Sequence, residues 1–361
     1  MPTASRTVPA ALAGVLLLAA CGSQSATQGD DTTGARGAGA PVDAAALCPS
    51  GYSQYGSLPS SAGDDPSVAP SGTPTPLPLP SATGPDEDGV QVTGLYAWDA
   101  GSGCQADYSA TFEITNSGTK TATYTVTFSF RSSSGGAVDN VEQTVQAVAP
   151  GQTAKATVAM KAEAMHAPEV SGVEVLKVRS VPADEASSAS GPCPASGVHV
   201  YADQGDAAMG LRVVGLHLVN CGTRTYELDG YPKLELLDER HGSVDGVRIL
   251  QGTGRISTAV GGDDSPQPMA LRPGEAAQST IAWRNTTGFG DPVNVPYVRV
   301  RAKSGAGPVI VQPELDLGTT GQLGVGPWKK DETFRATGTG TGTERPTPPL
   351  PSSVSPDFPS P

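Results

Sequence analysis

The fold is indicated most clearly by one alternating stretch, TYTVTFSF at residues 123–130. Its large side chains, Tyr124, Val126, Phe128 and Phe130, fall on one face, and only Thr and Ser fall on the other. Successive side chains of a β-strand point to opposite faces, so a period of two predicts a strand with one buried face. Half-buried strands of this kind are typical of antiparallel sheets.

The same alternation recurs on both sides of this stretch. Further apolar pairs two positions apart are Phe112 and Ile114, Val158 and Met160, Leu234 and Leu236, and Val298 and Val300. Turn-forming Gly, Pro, Asn or Ser bound each run, and no stretch has the pattern of an amphipathic helix. We therefore predict an all-β protein with two tandem immunoglobulin-like antiparallel β-sandwich domains, at residues 88–181 and 193–330.

Segments of biased composition separate these domains. The chain has 361 residues, including 45 Gly and 33 Pro, which indicates linkers rather than one seamless globule. Residues 22–46 are mainly Gly, Ala, Thr and Ser, and residues 74–80 read PTPLPLP. Such segments cannot bury enough apolar surface to fold. We predict a flexible tether at residues 21–87, a linker at 182–192 and a disordered Thr/Gly/Pro tail at 331–361.

An internal repeat supports the division. ITNSGTKT at residues 114–121 matches LVNCGTRT at 218–225, and APGQTAKATVAM at 149–160 matches RPGEAAQSTIAW at 272–283. Each block has an Asn-x-Gly or Pro-Gly turn leading into a strand. The two blocks are 34 positions apart in the first copy, counted from Asn116 to Pro150, and 53 apart in the second, from Asn220 to Pro273. The second copy is therefore longer. Convergence of ordinary turn chemistry is the alternative; we favour two related domains.

The N-terminus predicts a signal peptide at residues 1–20. A short polar start with Arg6 precedes an apolar run over residues 10–18, far short of the roughly 20 residues that span a bilayer core. LAAC at residues 18–21 resembles the lipobox of bacterial lipoprotein precursors, whose cysteine thiol receives a diacylglyceryl group. The resemblance implies lipid attachment at Cys21 and anchoring on the extracytoplasmic face of the cell membrane. The alternative is a secreted protein with a free Cys21.

Four further cysteines, Cys48, Cys104, Cys193 and Cys221, are expected to form two disulfides in an oxidising compartment, and three pairings are possible. Cys193 and Cys221 flank two predicted strands whose midpoint is a polar turn at Ala207. In such a hairpin they would face each other within disulfide range. This favours Cys193 with Cys221 and leaves Cys48 with Cys104, which would tie the N-terminal segment to the first domain.

Charge excludes one class of partner. The chain has 23 Lys+Arg against 36 Asp+Glu, a net charge of −13, and no basic run longer than a pair such as Lys329-Lys330. Nucleic-acid binding needs clustered basic residues that displace counterions from phosphates, so we predict no nucleic-acid partner.

Catalytic and metal motifs are mostly missing from the sequence. The four histidines, His166, His199, His217 and His241, stand far apart, although His199 and His217 lie on the predicted hairpin and could approach diagonally. Ser117-Gly118-Thr119-Lys120 matches S-x-x-K, but it falls in a predicted turn, and we interpret it as coincidence. We predict no catalytic, cofactor-binding or metal-binding residues, and no cofactor.

The second domain resembles a family of actinobacterial lipoproteins known as domain of unknown function 4232. The blocks that carry the resemblance are VNCGTR (219–224), GYP (230–232), LLD (236–238), LRPGE (271–275), WRNT (283–286) and LDLGTTGQLGV (315–325). The resemblance implies an extracellular β fold for residues 193–330. The family has no assigned activity, so it implies no mechanism.

Two functional hypotheses remain. The first, which we favour, is a lipid-anchored cell-envelope protein in a non-catalytic binding or structural role, with an envelope protein or glycan as its partner. The second is an envelope hydrolase whose site assembles from non-local residues. A pocket that collects His, Asp and Ser would favour the hydrolase, and exposed aromatics among Trp98, Trp283, Trp328, Tyr52 and Tyr55 would favour binding.

Overall fold

The computed structural model describes residues 44–48, 72–79, 89–99, 101–104, 106–161, 169–262 and 265–334. The predicted signal peptide, Cys21 and His166 lie outside the described residues. The described chain is all-β, in several sheets of which none is closed. A single helical turn, α1 (Ala44–Leu47), precedes the strands.

The N-terminal region, residues 72–182, forms two antiparallel sheets. Its strands are β1 (Thr75–Leu77), β2 (Val90–Ala97), β3 (Ala106–Thr115), β4 (Ala122–Ser132), β5 (Ala137–Val148), β6 (Thr153–Lys161) and β7 (Val170–Pro182). One sheet has the order β1-β2-β3-β6 and the other has the order β5-β4-β7. Apolar side chains from the two sheets form one core, in which the rings of Phe112 and Phe128 lie 4.7 Å apart.

The alternating stretch of residues 123–130 is the central strand β4, as its period predicts, but it is buried on both faces. Phe128 and Phe130 are fully buried in the core, while Thr125 and Ser129 on the other face are 9% and 1% exposed. The prediction of a solvated second face is therefore wrong. At Thr125 the cause is visible, because Gln312 from later in the chain packs there and donates to the Thr125 hydroxyl at 3.4 Å.

The C-terminal region, residues 193–334, contains the remaining strands. They are β8 (Val198–Ala202), β9 (Asp206–Ala208), β10 (Leu211–Asn220), β11 (Tyr226–Leu228), β12 (Lys233–Leu237), β13 (Arg248–Gln251), β14 (Met269–Leu271), β15 (Ala276–Arg284), β16 (Asn294–Val295), β17 (Tyr297–Arg301), β18 (Pro308–Val311), β19 (Leu315–Asp316), β20 (Gln322–Val325) and β21 (Lys329–Lys330). The main sheet has the order β13-β20-β15-β10-β8, with β9 paired to β10 and β21 paired to β15. Smaller sheets are β12-β17-β18, β11-β14 and β16-β19.

One strand pair of this region departs from the antiparallel expectation. β13 and β20 run parallel, with Arg248 opposite Gln322 and Gln251 opposite Val325. The C-terminal region has its own hydrophobic core, formed by residues that all follow those of the N-terminal core in the chain. It includes Leu216, Leu218 and Trp328, each at most 2% exposed. Burying each of these side chains contributes about 1.5–3 kcal/mol.

The internal repeat has the same geometry in both copies. In each, a buried asparagine stands at the end of a strand, Asn116 directly after β3 and Asn220 as the last residue of β10, and its side-chain amide holds the turn. Asn116 donates to Lys120 O at 2.8 Å and Val148 O at 2.7 Å, and Asn220 donates to Arg224 O and Leu271 O, both at 2.8 Å. In both copies the asparagine backbone also exchanges hydrogen bonds with the Pro-Gly turn of the second block. The repeat is therefore one structural unit used twice.

The structure contains both predicted disulfides, Cys48–Cys104 and Cys193–Cys221, with Cα atoms 5.7 and 5.6 Å apart. The register predicted for the hairpin is wrong. Val219 lies opposite His199 and Asn220 opposite Val198, so the strand β8 begins beyond Cys193. The bridge joins the end of β10 to the loop before β8, beside a backbone hydrogen bond from Gly222 N to Gly197 O.

Parts of the predicted tether are folded. Leu47 in α1 is 1% exposed and packs with Trp98, Ala106 and Ala159, because the Cys48–Cys104 bridge holds this apolar turn against the sheet. The Pro-rich stretch contributes β1, which pairs with the edge of β2. An edge position suits proline, which lacks a backbone donor.

The predicted linker and the start of the predicted tail also make specific contacts. A 3₁₀ turn (Ala183–Glu185) follows β7, and Glu185 pairs with Arg299 at 2.7 Å. Ala186 forms a parallel bridge with Ile310. At the other end, Phe334 packs on Tyr201 and Val219. The linker thus lies against the C-terminal region instead of spanning open solvent.

Candidate binding groove

An open groove of about 320 Å³ lies in the C-terminal region. It is lined by residues 204–207 and 212–214, together with Trp283, Pro313, Glu314 and Asp316. The lining is mostly polar and includes three carboxylates and one guanidinium. A groove of this size is at the lower end of the range for small-ligand sites.

The strands of the main sheet position two of these side chains. Arg212 on β10 lies directly opposite Trp283 on β15. Trp283 is 2% exposed, so its ring belongs to the core and only its indole N–H serves the groove. That N–H donates to Asp316 Oδ1 at 2.8 Å.

Asp316 is the best-held polar group of the groove. Besides Trp283, Asn285 Nδ2 donates to its Oδ2 at 2.9 Å and Arg212 Nη2 donates to the same atom at 3.3 Å. Burial pushes the pKa of Asp316 upward, but the hydrogen bonds from Trp283 and Asn285 and the charge of Arg212 outweigh it, and the pKa lies below its ordinary value. Asp316 is therefore an ionised, fixed acceptor that stays 42% exposed.

The start of β9 and the loop before it also line the groove, through residues 204–207. Asp203 closes that loop by accepting from Gly205 N at 2.9 Å and Gly215 N at 2.8 Å. Gly215 is required there, since a Cβ would overlap the Asp203 carboxylate. The loop geometry thus depends on one carboxylate and a residue without a side chain.

A histidine–aspartate pair lies behind this loop. His217 Nε2 is 3.1 Å from Asp203 Oδ2, and its ring stacks on Tyr201 with centroids 4.9 Å apart. Burial raises the pKa of Asp203, but the hydrogen bonds from His217 and from Gly215 and Gly205 outweigh it and leave the pKa lowered. Burial, with Asp331 and Asp203 nearby, raises the pKa of Tyr201 to about 12. These contacts orient the histidine for packing.

The other described histidines have structural partners. His199 is 4% exposed, its Nδ1 lies 2.8 Å from the Ser188 hydroxyl, and burial lowers its pKa. His241 packs edge-on against Tyr297. His199 lies opposite Val219 and His217 lies opposite Tyr201, so the two histidines occupy neighbouring pairs on one face of the hairpin, as predicted, and each has its own partner. Within the described ranges no group of three or more His, Cys, Asp or Glu side chains could hold a metal ion.

Several sequence candidates have ordinary structural positions. Ser117 and Lys120 lie in the β3–β4 turn, where Lys120 O accepts from Asn116, so the S-x-x-K match is not on a helix.

The three tryptophans are buried at 2–7% exposure, and each indole N–H has a partner: Ser109 for Trp98, Asp316 for Trp283 and Ala302 O for Trp328. Asn285 donates its side-chain amide to Asp316. Tyr52 and Tyr55 lie outside the described residues.

Apart from Trp283, one of the candidate exposed aromatics, the groove residues were not predicted from the sequence. Asp316 stands between two buried residues, Leu315 and Leu317, and an acidic residue inside an apolar strand is the one local signal that could have drawn attention to it. Its partners are 31 to 104 positions away in the chain, so no spacing rule connects them.

Comparison with known proteins identifies one part of the chain. Residues 193–329 match the family model described as a domain of unknown function (DUF4232). The resemblance seen in the sequence is thereby confirmed for this region. No curated protein matches the chain. Among the described residues, no helix is long and apolar enough to cross a membrane.

Proposed function

We propose that the protein is a non-catalytic binding module of the cell envelope. In this proposal a lipid on Cys21 anchors it to the extracytoplasmic face of the membrane, and two immunoglobulin-like β-sandwich domains, at residues 88–181 and 193–330, project from the tether. The separate cores and the repeated asparagine turn support two related domains.

The observation that carries the binding role is the fixed carboxylate of Asp316 in an open groove. Its two oxygens are oriented by three donors, so little conformational entropy would be lost when a ligand binds. Arg212 supplies donors beside it, and Gln204 and Asp206 supply further polar groups along the lining. This mixture of acceptors and donors suits a hydroxyl-rich ligand, and we propose an envelope glycan as the partner.

The groove gives less support to the hydrolase hypothesis. Its lining residues comprise no histidine, serine or cysteine, so the described groove does not supply the Ser–His or Cys–His pair of an acyl-transfer hydrolase. The His217–Asp203 pair lies behind the loop, with the histidine 20% exposed and its Nε2 directed at the carboxylate.

Glycan binding is tested by co-sedimentation of the lipid-free chain, residues 22–361, with purified bacterial cell-wall sacculi. Asp316→Asn keeps the shape of the side chain and removes its charge, and we expect it to lower the bound fraction about tenfold, because hydrogen bonds to a charged acceptor are the stronger ones. The matched control is Asp139→Asn, at an exposed position of the N-terminal region. Equal binding of wild type and D316N would contradict the proposal.

The anchor is tested independently of the ligand. Cys21→Ala removes the only thiol in the lipobox-like sequence, and we expect the protein to move from the membrane fraction to the soluble fraction, since acyl chains provide the membrane affinity. Immunoblots of the two fractions report the change. Retention of C21A in the membrane would rule out lipid anchoring at this residue.

A further inference from the structure

The groove wall is held from outside the C-terminal region. Arg179 on β7 reaches across to Glu314, a residue of the groove lining, with Nε donating to Oε1 at 2.8 Å and Nη2 donating to Oε2 at 3.1 Å. Its third nitrogen, Nη1, donates to Glu239 Oε2 at 2.7 Å. The Arg179 side chain is only 15% exposed. A two-pronged arginine–carboxylate pair of this kind fixes geometry as well as charge.

Glu314 needs such support because of its backbone. Its φ is +51°, in the left-handed region that residues with a side chain rarely adopt. Strain at such a position persists only where the surroundings hold it. Lys177, also on β7, adds a second contact to Glu314 Oε2 at 3.4 Å.

Glu314 and Asp316 belong to the same short segment. Between them Leu315 is 1% exposed and pairs with Val295. A change in the backbone of Glu314 is therefore passed to Asp316 through one buried residue. Trp283 reports on that carboxylate, because its indole N–H donates to Asp316.

The Arg179 side chain is itself held in place by neighbouring residues. The Arg179 guanidinium lies 5.9 Å from the centroid of the Tyr297 ring, and Tyr297 Oη accepts from Ser180 N at 3.3 Å. Val181, Leu237 and Ile310 complete an apolar patch between the two regions. Arg179 is thus held on several sides before it reaches Glu314.

We propose that Arg179 is a positioning residue of the groove, acting through Glu314 to fix Asp316, so that the N-terminal region completes a site whose polar lining comes from the C-terminal region. The inference rests on the proposed function only in taking the groove as the binding site.

The test uses the three indole N–H signals of the lipid-free chain in ¹H–¹⁵N spectra. Arg179→Ala should move the Trp283 signal and leave those of Trp98 and Trp328 in place, which also shows that both cores are intact. Hydrogen exchange at the amides of residues 314–317 should rise about tenfold, as expected for a local opening made easier by the loss of one specific contact. The control is Arg131→Ala, which removes a more exposed pair with Glu174 in the same sheet.

A double-mutant cycle separates positioning from general destabilisation. If Arg179 acts through Glu314, then R179A should have little further effect on the Trp283 signal in a Glu314→Ala background. Arg179→Lys keeps the charge without the paired donors and should give an intermediate shift. An unchanged Trp283 signal in R179A, or additive shifts in the double variant, would overturn the proposal. Because none of these readouts uses sacculi, a failure of glycan binding is recognised separately.

Discussion

The two copies of the repeat share a scaffold and differ in what they carry on it. In both, the strand that ends at the asparagine pairs in the same register with the strand that follows the Pro-Gly turn: Thr115 lies opposite Thr153 as Val219 lies opposite Ala276. Further along the same pair, Arg212 lies opposite Trp283, whereas the matching positions of the first copy hold Tyr108 and Met160.

This difference separates residues that build the fold from residues that build the groove. The asparagines are buried in both copies, and their loss would leave backbone carbonyls without partners. Arg212 and Trp283 are specific to the second copy, and both contact Asp316, which belongs to a segment beyond the repeated blocks. The repeat alone therefore defines a scaffold, and the additional strands of the C-terminal region supply the site.

Removing the disulfides should cause the largest loss of unfolding free energy in the two regions. Replacing Cys48 and Cys104 by alanine opens a loop of 56 residues and should cost about 4 kcal/mol, and replacing Cys193 and Cys221 opens a loop of 28 and should cost about 3.5 kcal/mol. Urea unfolding of each double variant, followed by circular dichroism, measures both losses. A negligible loss for either pair would mean that its region is held by packing alone.

The asparagine turns should be equivalent in energy. Asn116→Ala and Asn220→Ala each remove two donated hydrogen bonds to backbone carbonyls, and each should destabilise its region by about 3 kcal/mol. Thermal unfolding of the two variants gives the comparison, with Asn140→Ala at an exposed position as the control. Markedly unequal losses would show that the copies share a shape without sharing its energetics.

The smallest expected effect is on the pH dependence of stability in the C-terminal region. The pKa of Asp316 is lowered in the folded state, so its contribution to stability is complete above the unfolded pKa of about 3.9 and is lost as the pH falls through the lower folded value. Asp316→Asn should therefore flatten the stability profile of the C-terminal region below about pH 4. Unfolding midpoints between pH 5 and pH 3 measure it. A parallel profile for wild type and variant would mean that Asp316 is not held as its contacts indicate.

Local pattern predicted the scaffold well. Alternation predicted β4, and the matched blocks predicted the repeated turn. The favoured cysteine pairs are present, although the hairpin register that favoured Cys193–Cys221 is wrong. The hairpin register failed because the predicted midpoint assumed one symmetric turn, whereas residues 203–210 contain a short strand, β9, and positive φ at Gly205, Met209 and Gly210. Such an irregular turn changes which residues of β8 and β10 lie opposite each other. It has the same turn-forming composition as a symmetric turn, so the sequence does not reveal the change.

The site and the contact between regions depend on distant residues. Arg179 and Glu314 are 135 positions apart, and Gln312 and Thr125 are 187 apart. Both arginine and glutamate are common on exposed strand faces, so neither gives a signal before the chain is folded. The contacts of the predicted linker were hidden for the same reason, because its partners, Arg299 and Ile310, come from strands far along the sequence.

The Cys48–Cys104 bridge has a mechanical consequence. Tension applied to the chain before residue 44 enters the fold at Cys48 and passes through a covalent bond to Cys104, directly ahead of β3. Strands β1 and β2 lie inside the bridged loop and are bypassed, so the three-residue edge strand β1 is not peeled from its neighbour by a pull on the N-terminus. The force instead reaches the start of β3, a strand that is paired on both sides, with β2 and with β6.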